Sequence, residues 1–100
     1  MRLTFERSGG FAGMRLTASV DTDTLPAEEA AALNREVAVA HVFDLPAVLN
    51  APSGADQFSY TLTVEANGKQ HTIEANEGGV PETLRPLLQH LTSLARRPTS

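Results

Sequence analysis

The chain has 100 residues, 41% of them apolar and 20% charged, which suits one soluble domain built on a single core. A formal net charge of −4 argues against nucleic acid, whose phosphates reward a basic patch. The absence of cysteine excludes disulfides, thiol catalysis and any cysteine-based zinc site. No run approaches the ~18 apolar residues that span a bilayer, and Met1-Arg2 is followed by alternation rather than an apolar signal core. No membrane partner and a cytoplasmic location are therefore expected.

In chain order, Leu3 and Phe5 alternate with Arg2, Thr4 and Glu6, and Ser8-Gly9-Gly10-Phe11-Ala12-Gly13 interrupts the pattern. Alternation resumes with Met14, Leu16, Ala18 and Val20 against Arg15, Thr17, Ser19 and Asp21. Period two on both sides of a glycine-rich break predicts a hairpin of half-buried strands. Pro26, then Glu28 and Glu29, suit a first helical turn, and Ala30, Leu33, Val37 and Ala40 follow at helical spacing. A helix over about 26–41 is expected, with His41 and Asp44 marking its end. Pro46 and Pro52 predict an irregular stretch to about Asp56.

Phe58, Tyr60, Leu62 and Val64 then alternate with Ser59, Thr61, Thr63 and Glu65 up to Asn67-Gly68. That dipeptide signals a type I′ hairpin turn, which needs positive φ at both positions. Folding there sets Val64 opposite His71, Leu62 opposite Ile73 and Tyr60 opposite Ala75, all on one face. After Glu77-Gly78-Gly79, Leu84, Leu87, Leu88, Leu91 and Leu94 mark an amphipathic helix. Pro86 predicts a short first turn from Pro81 with regular helix after it. Arg96-Arg97 complements the negative helix end, and residues 98–100 form a frayed tail to a single domain over 1–97. The expected fold is α+β, β-β-α-β-β-α, a four-stranded antiparallel sheet with two helices on one face.

Chemistry is sparse. His41, His71 and His90 have neither HxH nor HxxxH spacing, and no carboxylate joins them in a motif, so no metal or cofactor is expected. Ser8 lacks a GxSxG context, and a strand rather than a helix follows the glycines, which excludes a nucleophile elbow and a phosphate loop. The chain reads as a binding protein, not an enzyme. The segment Ser8–Gly13 is longer than most hairpin loops and holds Phe11 among three glycines. Either Phe11 folds back onto the core, or the loop presents it as an apolar anchor. The segment from Phe43 to Asp56, with Leu45, Val48 and Leu49, either covers the core or joins the same interface.

The opening Leu3-Thr4-Phe5-Glu6-Arg7-Ser8-Gly9-Gly10-Phe11-Ala12-Gly13 and the closing Val80-Pro81-Glu82-Thr83-Leu84-Arg85-Pro86-Leu87-Leu88 resemble the emfourin family of bacterial protein inhibitors. The resemblance implies inhibition of thermolysin-like, especially protealysin-like, zinc metallopeptidases by docking over the active-site cleft. It implies that Gly9-Gly10 and Phe11 carry the inhibitory contact, so the loop Ser8, Gly9, Gly10, Phe11, Ala12 and Gly13 is the expected inhibitory loop, and a monomer is expected. Such enzymes cleave before large apolar residues, so Phe11 would fill that pocket while glycines let the backbone approach closely. The loop lacks His, Cys, Asp and Glu, leaving a backbone carbonyl, Ser8 or water for any zinc contact, or plain steric blockade. The rival reading is a general interaction module working through a sheet edge or its open Thr-rich face, and a remote third is a small-molecule binder.

Overall fold

A computed structural model describes residues 1–9, 15–51 and 58–96. Asn67 and Gly68 take φ of 54° and 78°, as a type I′ turn requires, and they join β4 (Phe58–Ala66) to β5 (Lys69–Asn76). The register pairs Val64 with His71, Leu62 with Ile73 and Tyr60 with Ala75, as the alternation predicts. β1 (Arg2–Gly9) pairs antiparallel with β2 (Leu16–Asp21), setting Leu3 against Val20 and Phe5 against Ala18. On its other side β1 pairs antiparallel with β4, with Leu3 against Val64 and Phe5 against Leu62.

The sheet has five strands and is mixed, which corrects the expected four-stranded antiparallel sheet. The added strand, β3 (Val48–Leu49), runs parallel to β5 and gives the order β2-β1-β4-β5-β3. It lies within the stretch expected to be irregular. Its pairing is anchored by the Glu74 N–H donating to the Ala47 carbonyl at 2.8 Å and the Asn76 N–H donating to Asn50 Oδ1 at 3.0 Å. Two residues are too few to show a period, so only these long-range bonds define the strand.

α1 (Ala27–Ala40) begins one residue after Pro26 and ends at His41, whose φ of 50° places it in the left-handed conformation that closes many helices. α2 (Arg85–Arg96) follows a turn in which the Leu84 N–H donates to the Pro81 carbonyl at 3.0 Å. Pro86 therefore falls in the first helical turn, where no backbone N–H is required, and the leucine stripe continues without a kink.

Both helices cover the same face. Leu33, Val37 and Ala40 of α1 and Leu87, Leu88 and Leu91 of α2 share one core with Leu3, Phe5, Leu62, Val64, Ile73 and Ala75. Gly79 has a specific reason to be glycine, because a Cβ there would fall on the Leu49 backbone carbonyl. The opposite face is open. Its rows run across paired strands, Ser19 beside Thr4, Thr63 and Thr72, and the Thr63 and Thr72 hydroxyls meet at 2.9 Å. Among the described residues, no helix is long and apolar enough to cross a membrane.

Candidate functional site

Two of the six residues singled out in the sequence, Ser8 and Gly9, lie in β1 rather than in a loop. The reason is the second neighbour of β1: β4 extends far enough to pair Ser8 with Ser59 and Gly9 with Phe58, two residues beyond the last pair with β2. Gly9 has a φ of 96°, a conformation that side-chain-bearing residues rarely adopt. β1 is thus secured on both sides as far as Arg7 and on one side as far as Gly9. Gly10, Phe11, Ala12 and Gly13 lie outside the described residues. Arg15, on the far side of that segment, pairs with Glu6 at 3.7 Å on the exposed surface.

The helix-facing side of this end of the sheet has a character that composition does not announce. Leu3, Phe5 and Arg7 point to one face, as do Val64, Leu62, Tyr60 and Phe58. The core covers the first residues of each series, whereas Arg7, Tyr60 and Phe58 are only half-buried. The Arg7 guanidinium lies 4.2 Å from the centre of the Phe58 ring, a cation–π contact directly beside Gly9. The Tyr60 ring rests against Phe5, with centroids 6.2 Å apart. A cleft of about 290 Å³ opens here between the sheet and α2, lined by Arg7, Tyr60, Arg85, Gln89, Ser93 and Arg96 among others.

Burial pushes the Tyr60 phenol above its ordinary 10.0, helped by the Glu77 charge and opposed by Arg7 and Arg85. The folded protein therefore holds the phenol proton at pH values where the unfolded chain has lost it. This contribution to stability is complete below pH 10.0 and disappears as pH rises through the folded value. Tyr60→Phe is expected to remove that part of the alkaline loss. Urea unfolding on either side of pH 10.0 checks it, and an equal alkaline loss in both proteins would refute it.

The histidines have structural partners. His71 donates from Nε2 to the Leu45 carbonyl at 2.7 Å and lies beside Phe43, at the rim of the core. His90 reaches from α2 to α1, where Nδ1 meets Glu36 Oε1 at 2.9 Å and Nε2 meets Glu29 Oε1 at 3.5 Å. The sequence reading missed these two carboxylates, because only the packing of α1 on α2 brings them to His90. Among the described residues, no group of three or more His, Cys, Asp or Glu side chains is placed to hold a metal ion.

Comparison with family models matches Emfourin over residues 5–92, nearly the whole chain. The chain belongs to the emfourin family. Membership carries a protease-inhibitor role in general terms, directed at metallopeptidases. Comparisons with curated proteins and with solved structures find no match. In this emfourin, the sequence signal that could have exposed the cleft is Arg7 itself, a charged residue in the apolar phase set by Leu3 and Phe5. Arg85 and Arg96 carry no such signal, since neither breaks the apolar stripe of α2 and only the packing of that helix on the sheet brings them to Arg7.

Proposed function

We propose that this protein inhibits thermolysin-like zinc metallopeptidases by inserting the segment Ser8–Gly13 into the active-site cleft, with Phe11 as the apolar anchor. The observation that carries the reading is the family match over residues 5–92. The geometry at the ends of the segment supports it. β1 is hydrogen-bonded to β4 up to Gly9, so the first two residues of the segment are held in the sheet. Gly9 takes a positive φ that residues with a Cβ disfavour. A preorganised base lowers the ordering cost that binding would otherwise incur.

The test is inhibition of a thermolysin-like peptidase by the purified protein, read as the rate of peptide cleavage against inhibitor concentration. Inhibition that rises with inhibitor concentration and is relieved by excess substrate is expected. Lack of inhibition of every thermolysin-like enzyme tried would overturn the assignment.

A further inference from the structure

The cleft beside β1 is positive in a protein that is negative overall. Arg7, Arg85 and Arg96 line it, and none of its lining residues is acidic, while the chain carries a formal −4. The Glu77 carboxylate, at one end, is engaged by the Phe58 N–H at 3.4 Å. Arg85 donates to the Glu77 backbone carbonyl at 3.4 Å, and Arg96 forms no ion pair among the described residues.

Helix electrostatics do not account for Arg85. Arg85 is the first residue of α2, and the first turn of that helix contains no acidic residue. A cation at a helix N-terminus opposes the macrodipole, which favours negative charge there. Arg96, at the other end, does complement the dipole. Between them, Gln89 and Ser93 are exposed along the same flank of α2 and can donate or accept hydrogen bonds. The floor is Tyr60, half-buried against Phe5. The result is an elongated groove with an apolar floor, a hydrogen-bonding wall and guanidinium groups spaced along it. It also adjoins the inhibitory strand, because Arg7 stands two residues before Gly9.

We propose that this groove is a second contact surface of the inhibitor, which receives an extended acidic segment of the peptidase. Carboxylates of that segment pair with Arg85 and Arg96, where guanidinium forks can bind them bidentately. The backbone of the segment meets Gln89 and Ser93. The inference rests on the inhibitory reading above and adds to it a charge-based contact outside the cleft-blocking loop. Such a contact steers association more than it tightens the final complex, because opposite charges attract before docking is complete.

The experiment compares two double variants by stopped-flow inhibition of a thermolysin-like peptidase. R85E/R96E reverses the groove. R35E/K69E makes the same change in net charge at exposed positions on α1 and at the β4–β5 turn. The groove variant is expected to associate about tenfold more slowly than the control at low salt, with the gap closing as ionic strength rises. Thermal melting verifies that both are folded, and the neutral pair R85Q/R96Q, expected to fall between wild type and R85E/R96E, repeats the test should charge reversal unfold the chain. Equal association rates for the groove and control variants, with wild type inhibiting, overturn the groove and leave the inhibitory reading intact. Failure of wild type to inhibit overturns that reading first and the groove with it.

Discussion

Phe11→Ala is expected to weaken inhibition of a thermolysin-like peptidase about thirtyfold, the equivalent of about 2 kcal/mol for the loss of an anchoring residue. Phe11 is the one large apolar side chain between Ser8 and Gly13, and the residues around it are small. An aromatic group in such a setting either binds something or returns to the core, and the two alternatives separate in a pair of measurements. If Phe11 is the anchor, the inhibition constant rises while the melting temperature holds. If Phe11 packs against its own core, the melting temperature falls by several degrees, since about 1 kcal/mol shifts a domain of this size by roughly 4–8 °C. Unchanged potency in a stable variant would remove Phe11 from the interface. Phe11→Leu sharpens the result, because it retains an apolar side chain and should recover most of the lost affinity if the peptidase pocket asks only for hydrophobic bulk.

The parts of the fold that sequence reveals are those governed by local periods. Asn67-Gly68 determines the turn and hence the register of β4 and β5, because a slip of one residue would turn Leu62 and Val64 out of the core. The leucine spacing of α2 likewise leaves little freedom, and Leu84, Leu87, Leu88 and Leu91 are all buried. β3 escapes such reading because its two residues depend on Asn50, Asn76 and Ala47, partners about 25 positions apart in the chain for the two asparagine contacts. β1 runs longer than its hairpin suggests for a related reason: its last two residues are held by β4, not by β2. At the candidate site, the glycines and Phe11 are visible by composition, whereas the groove is not. Arg7, Arg85 and Arg96 become neighbours only when α2 crosses the sheet, and no local pattern encodes that crossing.

Asn76→Ala is expected to destabilise the protein by about 3 kcal/mol, from three hydrogen bonds at about 1 kcal/mol each. The side chain ties the chain just after β3 to the short 3-10 turn at Glu77–Gly79. Its Oδ1 accepts from the Ala51 N–H at 3.0 Å and from the Gly79 N–H at 2.9 Å, and its Nδ2 donates to the Ala51 carbonyl at 2.6 Å. Alanine would leave three partly buried backbone groups unpaired where β3 and the 77–79 turn meet the end of β5. For a domain of this size the loss corresponds to a melting temperature lower by on the order of 15 °C. Asn76→Asp separates the contributions, because it keeps an oxygen for the Ala51 and Gly79 N–H groups and places a second oxygen against the Ala51 carbonyl. It should therefore lose stability chiefly through that one contact. Urea unfolding measures both variants, and a loss below about 1 kcal/mol for alanine would show that water replaces these bonds at little cost. The same variants bear on function. Glu77, the next residue, receives the Phe58 N–H on its carboxylate and Arg85 on its carbonyl, so the turn that Asn76 secures also underlies one end of the groove. At a temperature where Asn76→Ala is still folded, its association with the peptidase should slow only if loosening that turn displaces Arg85. Inhibition through Phe11 should persist.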